Sequence, residues 1–294
     1  MTSVLITHAE TWLSDQQQQH LNLYAIVDAA QDKRLWQQLA SCSQSAPILP
    51  SGADELSPHV LLLGKTNALP AKVVSLLSRP NLPAAFTLLC SPLKQSELQA
   101  HLRKFAKVKL PGNFEMILAF WDPSILGTLI GQIDDETLHV KGPVLTEPQL
   151  QAFLQPITAW WYCDREGGCH RIVPPSETAS SDSSAESQFT LNQPQEDALV
   201  EASVPDQVLY HLELNRPTLF DEKLPHAKRY RFIRAVLPSA RQLGLNGMRD
   251  MANFVALCLI YRQRIETDPQ ILQLLDQVQK KEIALDEALK HMPE

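Results

Sequence analysis

The chain has 294 residues, enough for two domains with separate cores. Hydrophobic residues make up 44% and charged residues 20%, an ordinary globular composition that excludes collagen-like and low-complexity classes. The formal net charge of −7 argues against nucleic acid as a partner, and no run nears the ~20 apolar residues that span a bilayer, so no membrane insertion is expected.

The opening MTSVLITHAETW has no basic start and only a short apolar run. It does not read as a secretory signal, and the chain is expected to be cytoplasmic. Residues 22–29 (NLYAIVDA) form a compact apolar strand ending in Asp28. Asp28 and Gln31 make a capping box for a helix over residues 29–40. A second strand is expected over 59–64, a short helix over 71–77 and a third strand over 84–90. Ser91-Pro92 and Asp122-Pro123 each place a capping oxygen before a proline at a first helical position, which starts helices at 92 and 123. On the first of these helices Leu98, Leu102 and Phe105 share one stripe. The apolar run 114–121 between them reads as a fourth, buried strand, and 134–142 as an edge strand. Two successive strand-to-helix units predict an open sheet, mostly parallel or mixed, with flanking helices. After a helix from Thr146, residues 159–162 and 170–173 flank Asp164-Arg165-Glu166-Gly167-Gly168 as a hairpin.

The chain then turns polar. Residues 174–197 carry Glu177, Asp182, Glu186, Glu196 and Asp197 without a base, among many serines, and read as a linker. Beyond it only helical patterns remain: 226–243 with a kink expected near Pro238, an apolar 248–265, one from Asp268-Pro269 and a short last one. The expected layout is therefore an α/β domain over 1–173, the linker over 174–197 and an all-α domain over 198–294.

Candidate chemistry is sparse. Gly64-Lys65-Thr66 lacks the glycine that a phosphate-binding loop needs five residues before its Gly-Lys pair, where His59 stands, and no cofactor is expected. Cys163, Cys169 and His170 are the only local soft-ligand group, but their spacing is wider than zinc pairs use and a fourth ligand is missing, so no metal is expected. Asp28 and Asp122 both follow expected strands. They could form an acid/base pair or bind a divalent ion at the carboxyl edge of the sheet, as in a small-molecule or metal-dependent enzyme, although each is also placed to cap a helix. No G-x-S-x-G elbow or HExxH pattern occurs, and the chain is read as non-catalytic. Trp160 and Trp161 face opposite ways in a strand, so either the second covers another element or it is an aromatic anchor for a partner. Lys228, Arg231 and Arg234 recur every three residues as a basic stripe, either a solvated face or a partner-binding one. Arg229 falls on the apolar side, its stem expected to be buried.

The segments YAIVDAA, LLCSPLKQSELQAHLRKFAKVKLPGNFEMILAFWDPSILGTLI and ITAWWYCDREG, in that order, resemble the adaptor/chaperone family of bacterial type VI secretion over residues 23–168. The resemblance implies a bacterial cytoplasmic adaptor that binds a type VI secretion effector and helps load it onto a VgrG-type spike protein. Similar sequences often read R-F-Y-D-P-R around Asp122-Pro123. This chain has Ala119 and Ser124 at the two arginine positions and Trp121 for the tyrosine, so contacts made by those arginines do not carry over. Two lobes joined by a linker would suit a protein that holds two partners; the competing reading is an enzyme using Asp28 and Asp122. Composition also makes the linker the expected site of first cleavage in limited proteolysis, leaving two resistant fragments, whereas first cuts inside 84–131 would move the boundary.

Overall fold

A computed structural model of the chain describes residues 21–41, 43–49, 54–65, 86–174 and 189–293, together with residues 7, 11, 71 and 75. It divides into two compact units, residues 1–199 and 200–294.

The first unit is built on a six-stranded sheet of β1 (Asn22–Asp28), β2 (Gln44–Pro47), β3 (Pro58–Lys65), β4 (Phe86–Ser91), β7 (Ala159–Cys163) and β8 (Cys169–Ile172), in the order β2-β3-β1-β4-β7-β8. Every neighbouring pair is antiparallel, which corrects the mostly parallel or mixed sheet expected. A helix does follow β4, but a helix fixes strand direction only if the chain returns to the same sheet. Here α2 (Gln95–Ala106) leads out of it, into a separate ribbon of β5 (Lys107–Lys109) and β6 (Glu115–Ile117). The expected fourth strand thus shrinks to β6. Phe114 and Ile117 stand exposed, while Leu118, Phe120 and Trp121 turn inward ahead of α3 (Pro123–Ile130). A short apolar run suits a buried strand or an inward-packed turn equally well, and periodicity cannot choose between them. Residues 134–142 are likewise turns and bends.

Side chains alternate across the sheet, and both faces are covered. Tyr24, Ile26, Leu89, Trp160 and Tyr162 pack on one face under Leu98, Leu102 and Phe105 of α2, Leu126 and Leu129 of α3, and Phe153 and Leu154 of α4 (Glu147–Leu154). Phe153 sits among Phe105, Phe120 and Trp160, with ring centroids 5.1, 5.3 and 5.6 Å away, spacings at which aromatic pairs add to area burial. Leu23, Ala25, Val27, Leu88, Cys90 and Trp161 pack on the other face, with Leu35 and Leu39 of α1 (Lys33–Ala40). Burial on both faces explains why these strands read as continuous apolar runs.

Two expected caps are corrected. α1 starts at Lys33 on Asp32, whose side chain accepts from Leu35 N, so Asp28 caps no helix. α2 starts at Gln95, and Ser91 instead ends β4, its hydroxyl donating to the Pro156 carbonyl and accepting from Leu93 N. In both cases the chain takes a further turn between strand and helix, which moves the cap three or four residues on. Asp122 does cap: Oδ1 accepts from Ser124 N (2.8 Å), Ser124 Oγ (2.6 Å) and Ile125 N (3.2 Å).

Of the expected linker, residues 175–188 lie outside those described. Its far end belongs to the first unit. Lys109 N donates to Phe189 O and Leu191 N to Lys109 O, both at 2.9 Å, and Leu191 is buried. Asn192 and Gln195 then cap α5 (Gln193–Asn215) reciprocally, each side chain accepting from the other's N–H at 3.0 Å. An average over polar composition hides this Phe-x-Leu alternation and the cap behind it. The division between the units falls inside α5, after Leu199.

The second unit is all helical: the rest of α5, then α6 (His226–Gln242), α7 (Met248–Tyr261), α8 (Arg264–Thr267), α9 (Pro269–Gln279) and α10 (Leu285–Lys290). Tyr230, Ile233 and Leu237 of α6 form the buried arc expected, and α6 continues through Pro238. They pack with Met251, Phe254, Val255 and Leu257 of α7 and Ile271, Leu275 and Val278 of α9. Asp268 caps α9 as read, accepting from Gln270 N.

Because asparagine can accept the same backbone bonds, Asp122→Asn should leave thermal stability within a few tenths of a kcal/mol, roughly the spread among good caps. Asp122→Leu should lower it by about 1 kcal/mol in denaturant titration. Equal losses in the two variants would mean that the carboxylate charge, rather than the cap, is what matters.

Candidate functional site

At two places in the first unit a buried or half-buried carboxylate is hydrogen-bonded to an aromatic side chain distant in sequence. The first is the turn end of the β7–β8 hairpin. Asp164 closes the turn: its Oδ1 accepts from Glu166 N and Gly168 N, each at 2.8 Å, and its N–H donates to Gly168 O. Oδ2 accepts from His170 Nε2 at 2.9 Å, and since a carboxylate only accepts, that nitrogen carries the proton. The His170 ring stacks on Tyr162, its cross-strand partner, with centroids 5.2 Å apart. Tyr162 Oη donates to Asp135 Oδ2 at 3.0 Å, and Asp135 Oδ1 is held by Thr137 N (2.8 Å) and Thr137 Oγ1 (2.6 Å). Gly127 makes room for this: a Cβ there would lie 2.6 Å from the Tyr162 hydroxyl oxygen, too close for any other residue without displacement.

Among the described residues, Asp135, Asp164 and His170 are a group whose possible ligand atoms lie within 4.8 Å of one another. Every oxygen of the two carboxylates already accepts a hydrogen bond from the chain itself, which gives each carboxylate a structural task independent of any ion. The sequence had grouped His170 with Cys163 and Cys169. In the hairpin the two cysteines face each other on one side and His170 points to the other, because successive residues alternate. Asp135 and Tyr162 escaped the sequence reading, since nothing local joins residues 27 apart.

The second place is the end of β1. Alternation puts Asp28 on the same face as Tyr24 and Ile26, and there its Oδ2 accepts from Trp121 Nε1 at 3.2 Å, while Oδ1 accepts from Ala30 N at 3.0 Å. Asp28 and Trp121 are both buried. Asp122 follows directly, its Oδ1 committed to the cap. Asp28 and Asp122 do not share the carboxyl edge expected of them, because an antiparallel sheet has none. Trp121, which bonds Asp28 and directly precedes Asp122, connects them instead.

Trp160 and Trp161 are also corrected as partner-binding residues, being 0% and 1% exposed. They enter the two opposite cores, and Trp160 Nε1 finds Thr87 Oγ1 at 2.9 Å. In the second unit Lys228 and Arg231 are exposed and Arg234 is half-buried. Arg229 is half-buried as expected. It donates to Glu213 Oε1 and the Leu224 carbonyl, each at 2.9 Å, and lies over the Phe220 ring.

A family model described as a domain of unknown function, DUF4123, matches residues 23–140. No curated protein and no solved structure matches the chain. The matched stretch holds β1, Asp28, Trp121, Asp122 and Asp135; the hairpin with Tyr162, Asp164 and His170, and the whole second unit, lie beyond it. No helix among the described residues is long and apolar enough to cross a membrane.

The hydrogen bond to Asp164 raises the His170 pKa, burial opposes it, and the charges of Asp135, Asp164 and Asp134 add to the rise. Burial pushes Asp164 up, but the hydrogen bonds from His170, Glu166 N–H and Gly168 N–H outweigh it and hold the carboxyl below its usual value. A raised histidine contributes stability that is complete below its unfolded value of about 6.5 and is lost as pH rises through the folded value. A depressed aspartate contributes stability present above about 3.9 and lost as pH falls through the folded value. The pair is thus at full strength between about pH 4 and 6.5. Melting temperature followed from pH 6 to 9 should therefore drop by an increment that His170→Gln lacks; superimposable pH profiles would show that this pair does not couple to folding.

Proposed function

We propose that this chain is a non-catalytic adaptor that binds a type VI secretion effector in the bacterial cytoplasm and helps load it onto a VgrG-type spike protein. The observation that carries the reading is the DUF4123 match over residues 23–140, a domain associated with type VI effector adaptors. It coincides with most of the stretch over which the sequence resembles that family. The chemistry of the described sites agrees with a binding role. Asp28, Asp135 and Asp164 have both carboxylate oxygens in hydrogen bonds to the chain itself, and Asp122 is occupied with its cap.

The partner surface we assign to the effector is the α6 stripe of Lys228, Arg231 and Arg234. Aligned bases along one helix face steer and orient an acidic segment, and such contacts act mainly on encounter and register. Arg229 is a separate, half-buried residue bonded to Glu213 and backbone carbonyls.

Deleting the gene in a bacterium with an active type VI system should abolish release of one effector while tube protein is still released. Unchanged release of every effector would overturn the reading. With that effector purified, Arg231→Glu combined with Arg234→Glu should weaken binding by about tenfold or more at low salt in isothermal titration, with helicity unchanged. Equal affinity of the double variant and the parent would return the stripe to ordinary surface charge.

A further inference from the structure

The hairpin register brings together two thiols that the adaptor role does not use. Cys163 lies directly opposite Cys169 across β7 and β8. Asp164 N donates to Gly168 O at 2.8 Å, so the pair at the turn is a hydrogen-bonded one. Pairs alternate along an antiparallel ladder, and the next pair, Cys163 with Cys169, is therefore non-hydrogen-bonded. Such a pair holds its Cα atoms about 4.5 Å apart with the side chains on one face, within the roughly 4.4–6.8 Å that disulfides bridge. Both cysteines are free, both are half-buried, and both pack at the margin of the cluster that holds Trp161 and Cys90.

We propose that Cys163 and Cys169 are a paired oxidation site that closes to an intramolecular disulfide by exchange with a low-molecular-weight disulfide such as oxidised glutathione. One cysteine, as thiolate, attacks a glutathione sulfur, forming a mixed disulfide and expelling one glutathione thiolate. The other then attacks the protein sulfur of that mixed disulfide, forming the Cys163–Cys169 bond and expelling the second glutathione. The two protons lost by the cysteines end on the two glutathione thiols, so a dithiol and a disulfide become a disulfide and two thiols.

Burial pushes the Cys163 thiol up to about 11 and Cys169 up to about 12, with Asp164 adding to both and Cys163 adding to Cys169. Both are therefore thiols at neutral pH and slow to start the exchange. Once either sulfur is activated, its partner is already beside it, and ring closure outruns a second encounter with glutathione. The product fastens edge strand β8 to β7 next to the turn where Asp164 holds His170.

The test uses the full chain, incubated with excess oxidised glutathione until its composition stops changing, then alkylated and digested with trypsin. Cleavage after Lys141, Arg165 and Arg171 separates Cys163 from Cys169. The expected product is a covalent pair of peptides 142–165 and 166–171 that dithiothreitol separates, together with slower amide exchange through β7 and β8. Cys163→Ser should abolish the linked pair and leave a glutathione adduct on Cys169. Glutathione adducts on both cysteines without a link, a link to any other cysteine, or full alkylation of both would each overturn the proposal.

Discussion

Strand β1 is hydrogen-bonded to β3 along one edge and to β4 along the other, and six of its seven residues are buried. A strand in that position has no free backbone donors and no solvent-facing side, so every residue is constrained by something distant in sequence. Its last residue, Asp28, carries a carboxylate to the edge of the core, where it needs hydrogen-bond donors. It finds one in its own turn and one in Trp121, 93 residues away. The indole bond holds the start of α3 against the end of the central strand, and α3 in turn supplies Gly127 beneath Tyr162. The hairpin network is thus positioned through the same helix that Asp122 caps.

Within the hairpin, period-two alternation divides the chemistry. Tyr162 and His170 turn to the face that meets Asp135, while Cys163 and Cys169 turn to the face of Trp161. On the polar face Tyr162 is bonded to Asp135 and His170 to Asp164, which limits the desolvation penalty of burying them. The thiol face can rest unpaired, because a thiol hydrogen-bonds weakly and behaves much like a small apolar group. Two strands of four or five residues therefore hold a stabilising charge pair and an oxidisable pair without conflict.

The second unit relies on different physics. Its core is aliphatic and aromatic packing among α6, α7 and α9, with ion pairs such as Arg229–Glu213 and Arg241–Glu201 at the rim. The DUF4123 match ends at residue 140, before the hairpin and before this unit.

Much was legible in the sequence: β1, β3, β4, the hairpin and its turn, the Leu98–Leu102–Phe105 stripe, the Asp122 and Asp268 caps, and the buried arc of α6 all rest on signals a few residues long. Turn glycines, caps and helical spacing act locally, and a local cause can be read locally. Opposite faces for Trp160 and Trp161 followed from strand geometry, but their complete burial did not, since that depends on helices from elsewhere in the chain. Strand direction, the loss of 114–121 from the sheet, the displacement of Asp28 and Ser91 from capping, and the joining of Asp135 to Tyr162 and of Asp28 to Trp121 were decided only by the tertiary structure. Each of these is a choice between partners far apart in sequence, made by which arrangement buries the most apolar surface while leaving no buried polar group unpaired.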